Sequence, residues 1–325
     1  MTNFKKIGLT ALAASLVSVS AHAGELTVTG SASMNTEGHS GEQLDAGTTF
    51  SMANSVYLKG SGELDNGMTV SVSFELDQGT GNNSSNQFDN HSVTVSSDAM
   101  GSLTLAGHGG STAASKIDTT AAGDMWDNFD EMTIGGTTTA NAVKTSGAGN
   151  NSLFYTSPDL MDGLNITLSY NPQKGNAGNP SESGYGFNYT GVEGLSVSYA
   201  ETDIETNVAG TTGDNTVLKV SYAYGPVTGT YSNMETDVST TSSAGETDSY
   251  ALSYTISDEL SVTYGSETHE QGDSTTDIEI DGFSVAYTTG GMTISAAMQS
   301  AENQNHSTDS KFDTDYWALG ASFAF

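Results

Sequence analysis

Met68-Thr69-Val70-Ser71-Val72-Ser73-Phe74-Glu75-Leu76 alternates at every step: Met68, Val70, Val72, Phe74 and Leu76 share one parity, and Thr69, Ser71, Ser73 and Glu75 the other. A period of two belongs to a β-strand with one apolar and one hydroxyl-rich face. The residues just before it, Leu64-Asp65-Asn66-Gly67, accept turn dihedrals. Upstream, Leu26, Val28, Gly30, Ala32 and Met34 repeat the pattern, as do Phe50, Met52, Val56 and Leu58. Downstream it continues through Leu164/Ile166/Leu168/Tyr170, Leu218/Val220/Tyr222/Tyr224 and Tyr250/Leu252/Tyr254/Ile256 to Trp317, Leu319, Ala321, Phe323 and Phe325. There are about sixteen such segments, each near the ~9–11 residues that a tilted transmembrane strand needs.

The connections alternate as well. Short turns at 64–67, 98–101, 157–163, 191–194, 225–226, 257–259 and 288–291 interleave with longer polar stretches near 35–48, 77–87, 109–150, 172–183, 200–213, 233–247, 266–277 and 300–311. All tight turns then lie at one end of the strands and all long loops at the other, the build of outer-membrane barrels. About sixteen strands enclose a lumen too wide for side chains to fill, which suits a polar interior and an apolar exterior. Tyr170, Tyr199, Tyr224, Tyr231, Tyr254 and Tyr264 read as an interfacial girdle toward one end of the apolar face.

Composition narrows the function. The 325 residues hold 39 Asp+Glu against 8 Lys and no Arg, a formal net charge of −31, so no basic surface exists for nucleic acid. The absence of Cys excludes disulfides, thiolate zinc sites and thiol catalysis. Lys5 and Lys6, the apolar run from Ile7 to Val19 and the small-x-small Ala21-His22-Ala23 form a secretory signal peptide over 1–23. No later stretch is long and apolar enough for a transmembrane helix.

Residues across the chain resemble the Gram-negative general-diffusion porins, in particular the alphaproteobacterial, Rhodobacter-like type. They are Glu25-Leu26-Thr27-Val28-Thr29-Gly30-Ser31-Ala32, Gly62-Glu63-Leu64-Asp65-Asn66-Gly67-Met68-Thr69-Val70, Gly101-Ser102-Leu103-Thr104-Leu105-Ala106-Gly107 and Leu319-Gly320-Ala321-Ser322-Phe323-Ala324-Phe325. The resemblance implies an all-β, 16-stranded antiparallel transmembrane β-barrel over 24–325, with an in-folded third loop, assembled as a homotrimer in outer-membrane lipid. It implies passive diffusion of small hydrophilic solutes and ions. The terminal Phe325 resembles the signal read by the barrel-assembly machinery.

The longest connection, 109–150, stands where the constriction loop of such proteins does. It carries Asp118, Asp124, Asp127, Asp130 and Glu131 among Trp126, Phe129 and Met132. Asp124, Asp127 and Glu131 recur every three to four residues, so a short helix would gather them on one face and leave Met125, Phe129 and Met132 to lean elsewhere. The resemblance also implies wall arginines on the second strand, yet this chain reads Met52-Ala53-Asn54-Ser55-Val56 there. Parity turns Lys59 and Lys219 inward as wall cations, with Glu75 inward on the strand after Lys59. Carboxylates in such excess favour cations, although only those lining the constriction count, because screening acts within ~8–10 Å.

Other classes have weaker support. His39, His91, His108, His269 and His306 show no metal-ligand spacing and read as solvated. No nucleophile elbow or phosphate-binding loop is present, so no cofactor and no enzymatic activity are expected. Acidic loops suit Ca²⁺, though the Asp-x-Asp-x-Asp-Gly pattern is missing. The alternative function is a secreted all-β adhesin or surface-layer protein whose acidic loops bind divalent ions.

Overall fold

The computed structural model describes residues 26–40, 47–77, 88–130, 132–134, 137–138, 150–172, 181–205, 212–240 and 244–325. The expected signal peptide, 1–23, and Glu131 lie outside them. Strands β1 (Thr27–Ser40), β2 (Gly47–Glu63), β3 (Thr69–Asp77), β4 (His91–Ser97) and β5 (Gly101–His108) precede the long connection. Within that connection lie the two-residue strands β6 (Thr133–Ile134) and β7 (Thr137–Thr138), which pair with each other. Next come β8 (Ser152–Thr156), β9 (Leu164–Asn171), β10 (Ser181–Tyr189), β11 (Leu195–Glu205), β12 (Gly213–Tyr224) and β13 (Val227–Val238). The chain ends with β14 (Gly245–Ser257), β15 (Leu260–Gln271), β16 (Ile278–Thr289), β17 (Met292–Glu302) and β18 (Thr314–Ala324).

All strands but β6 and β7 form one closed antiparallel barrel of sixteen, each pairing with its sequence neighbours, and β5 pairs with β8 across the long connection. The seam joins β1 to β18 from Ser31↔Ala324 to Ser40↔Asp315. Beyond it the Phe325 N–H donates to Gly30 O at 3.0 Å and the Gly30 N–H to Phe325 O at 2.7 Å. Closure leaves no free sheet edge, the condition for strands to cross hydrocarbon.

The side-chain faces separate as alternation requires. Leu252 and Phe283 are each 57% exposed on the outside, whereas the inward Thr247, Ser232 and Ser249 are fully buried. Apolar groups outside and hydroxyls inside are the inverse of a water-soluble barrel. Outward aromatics fall in two rows rather than the one expected. Tyr224, Tyr254 and Tyr287 stand near the short turns, whereas Tyr170, Tyr185, Tyr231, Tyr250 and Tyr264 stand further toward the long loops. They frame the apolar band on both sides, as two interfacial girdles do.

The strands also run further than the sequence reading had them. Of the stretches expected as loops, residues 35–40, 47–48, 200–205, 233–238, 245–247 and 266–271 are strand. Beyond the second aromatic row the outward positions turn acidic, so apolar alternation stops while backbone pairing continues. Some of these acids meet directly across strands: Asp203↔Asp214 and Asp214↔Asp237, Glu235↔Glu246 and Glu246↔Glu270, and Glu279↔Glu302.

Candidate pore constriction

From the end of β5 the chain turns inward and lies along the inner wall. A tight turn opens this path, its ends crossing as Thr112 N–H donates to Ser115 Oγ (2.7 Å) and Ser115 N–H to Thr112 Oγ1 (3.0 Å). The loop then takes one hold after another. Ala113 N–H donates to Ser169 Oγ on β9 at 2.8 Å, and Ala114 N–H to Thr202 Oγ1 on β11 at 3.1 Å. Ala121 N–H donates to Ser249 Oγ on β14 at 2.8 Å. Met125 and Trp126 N–H donate to the two carboxylate oxygens of Glu267 on β15 at 3.2 and 3.4 Å. Asn128 reaches Gln299 on β17 (2.8 Å), and its carbonyl accepts from His39 Nε2 on β1 (2.7 Å). Inward polar side chains thereby satisfy backbone groups that would otherwise be stranded against the wall.

Packing reinforces the path. Ala114 nests against Val217 and Met234, and Met125, Phe129, Met132 and Ile134 bury themselves with Ile278, Ile280, Ala301, Phe312 and Tyr316. Inward glycines make room: a methyl on Gly184 would stand 2.9 Å from Ala113 Cβ, and one on Gly265 would collide with Ala122. The contacts of the described loop residues run along the inner face from β9 round to β1.

Charge gathers on the loop. Asp118 Oδ2 accepts from Lys219 Nζ at 2.7 Å, and the same ammonium donates to Thr120 O at 2.7 Å. Lys219 is thus inward as its parity required, but it is a clamp on the loop rather than a cation facing it across water. Asp124 accepts from Thr120 Oγ1 at 3.0 Å. Asp127 is exposed, and partial burial, followed by the charges of Asp124 and Asp130, raises its carboxyl above the ordinary aspartate value. The expected helix is only the five-residue 3-10 turn Met125–Phe129. Asp130 is already extended (φ −77°, ψ 155°), so the face that was to carry Asp124, Asp127 and Glu131 together stops short. Burial of Phe129 and Met132 against the wall fixes the loop here in place of helical hydrogen bonding.

On β2 Lys59 lies 5.1 Å from the centre of the Tyr57 ring. Glu75 accepts from Tyr57 OH and Asn90 Nδ2, each at 2.5 Å, and is 7% exposed.

Two residues were misread or missed. His269, expected to be solvated, is fully buried, and Glu267 is 1% exposed beside it. Alternation turns both inward, but nothing local says that the loop covers them; the inward Gly265 next to them is the one sequence trace of a close approach. Among the described residues no three His, Asp or Glu side chains gather as a metal-holding group.

A closed barrel with an apolar exterior, a hydroxyl-rich interior and a folded-in acidic loop defines a transmembrane channel architecture. The family model for Gram-negative porins matches residues 8–325, and the chain belongs to that family. Its fold is similar to the anion-selective porin of Comamonas acidovorans (16% identity, 93% of this chain and 99% of that one, TM-score 0.65). It is also similar to Salmonella typhi OmpF (14%, 93% and 98%, 0.69) and to a variant of Rh. blastica porin (14%, 93% and 100%, 0.64). No curated protein matches the chain by sequence. The chain is an outer-membrane protein, and its family makes it a passive diffusion channel.

Proposed function

We propose that this porin passes small hydrophilic solutes and prefers cations. The supporting observation is the charge of the in-folded loop: Asp124 and Asp127 are exposed on it, while Lys219 is engaged by Asp118 and Thr120. Asp118, Asp124, Asp127, Asp130 and Glu131 form the acidic side of the constriction, and Lys59 and Glu75 stand on its wall side. Fixed carboxylates at a narrow point raise local cation concentration and exclude anions.

Residues 1–23 direct export and 24–325 form the barrel, with 109–150 as constriction loop. The working unit is a homotrimer. Among the described residues no Asp or Glu faces outward from β1–β5, whereas exposed Val28, Met34, Phe50, Met52 and Leu103 do, which suits self-association on that side. Proteoliposomes of the purified protein should swell in small sugars and stop swelling as solute size rises. Protein that folds as a barrel yet gives no swelling with any solute would overturn the reading.

A further inference from the structure

Where the acidic turn of the loop reaches β1, the wall carries a carboxylate of its own. Glu37 faces inward on β1, opposite Ala318 of β18 and Thr49 of β2. The next inward residue of β1 toward the long loops is His39, whose Nε2 donates to Asn128 O at 2.7 Å. Inward residues of one strand stand about 7 Å apart, so Glu37 lies one position from the point where the turn Met125–Phe129 touches the wall. Asp127 immediately precedes Asn128 in the chain.

The Glu37 carboxylate is held in place. Its Oε2 accepts from Tyr316 OH at 2.9 Å, and its Oε1 lies 3.5 Å from Thr49 Oγ1. Tyr316 is buried, with its ring centre 4.9 Å from that of His39 and 6.0 Å from that of Phe129. The phenol that helps seat the loop therefore also aims the carboxylate. Glu75 and Glu267, also inward, are 7% and 1% exposed, whereas Glu37 is only half-buried and meets the lumen. Among the described residues no Lys or His forms an ion pair with it: Lys219 engages Asp118, Lys311 engages Asp309, and Lys59 stands opposite Thr27, ten positions away along β1. Residues 35–48 lack apolar alternation, so nothing local in the sequence marks Glu37 as an inward strand residue.

We propose that Glu37 is a selectivity-determining residue of the constriction, with Tyr316 as its positioning residue, so that permeating cations meet fixed anions of both the loop and the wall. The proposal rests on the diffusion-channel reading and names the wall group that adds to the charge of the loop. A carboxylate with protein on one side and the ion path on the other is screened less than a fully solvated one, and no counter-charge cancels it. Neutral donors such as Tyr316 OH orient the group and leave its net charge in place.

The test is the reversal potential of the intact protein in planar bilayers across a KCl gradient, near physiological salt and near 1 M, for wild type and Glu37→Gln. The substitution removes the charge and keeps a carbonyl oxygen for Tyr316 OH. Near physiological salt the cation-to-anion permeability ratio should fall roughly two- to fivefold, the scale of one unit charge about 5 Å from the ion path, and the fall should largely vanish near 1 M. Single-channel conductance at high salt should stay at the wild-type level, which a displaced loop would not allow. A folded Glu37→Gln channel with an unchanged ratio, or one whose high-salt conductance changes along with the ratio, would overturn the proposal. If that variant fails to fold, Thr49→Glu decides: it adds a carboxylate at an exposed position directly opposite Glu37 and should raise the ratio by a similar factor, and an unchanged ratio would overturn the proposal. A wild type that prefers anions, shifted further toward them by Glu37→Gln, would support the role of Glu37 and refute the cation preference. Folded wild-type protein without current would overturn the channel reading and this proposal with it.

Discussion

Replacing Lys219 by Met keeps the length of the side chain and removes the ammonium that now bridges Asp118 Oδ2 and Thr120 O. Asp118, whose side chain is 51% exposed, is left as an unpaired anion on the loop. A permeating ion passing at about 5 Å through water feels ~0.8 kcal/mol from one unit charge. At physiological ionic strength a Debye length of ~8 Å roughly halves that figure. The gain for a cation and the loss for an anion together approach ~0.9 kcal/mol, about a four- to fivefold rise in the cation-to-anion permeability ratio. In 1 M salt, where the Debye length is ~3 Å, only about a fifth of the interaction survives and the change shrinks to less than about twofold. Reversal potentials of Lys219→Met and wild type at the two salt levels measure both quantities. An unchanged ratio at low salt, or an effect equally large at high salt, would show that Asp118 does not act on the ion path through its charge.

Other expectations follow from the same geometry. Because burial and the neighbouring Asp124 and Asp130 raise the Asp127 carboxyl, it loses its charge above the range in which an ordinary aspartate protonates; cation preference should begin to fall there, and Asp127→Asn should remove that component of a reversal-potential titration. Gly265→Val introduces a side chain where even a methyl would meet Ala122, so the loop should be pushed into the lumen and single-channel conductance should change while the barrel still folds. Phe129→Ala empties the apolar seat of the loop, a substitution that costs at most about 3–5 kcal/mol; exchange of the loop amides should rise with little change in the barrel strands. The cross-strand acid pairs Asp203↔Asp214 and Asp214↔Asp237 each oppose pairing by about 0.2–1 kcal/mol. The barrel should therefore unfold at higher temperature in concentrated salt than in dilute buffer, and an unchanged midpoint would count against this account of the acidic rim.

The barrel was legible because its faces are written in a period of two, and a membrane barrel must repeat that pattern strand after strand. The strand ends were not: past Tyr231 and Tyr250 the outward positions are Asn233, Glu235, Asp248 and Glu246, polar like the inward Ser232, Thr236, Thr247 and Ser249, so apolar-out alternation is lost while hydrogen bonding goes on. The loop was recognisable by its length and its acids, and Phe129 and Met132 do turn to the wall. Its docking was not legible, because Glu267 and His269 become a buried pair only through contact with residues more than a hundred positions away. The same holds for Lys219, whose parity was correct but whose partner, Asp118, comes from the loop.

The central claim is that a water-filled barrel is narrowed by a carboxylate-bearing loop and on that account prefers cations. The reversal potential of the purified wild-type protein across a KCl gradient in a planar bilayer tests it most directly. Stepwise conductance with a potential displaced toward that of K⁺ is the expected result. Displacement toward Cl⁻ would contradict the charge assignment of the constriction, and no conductance from folded protein would contradict the channel itself.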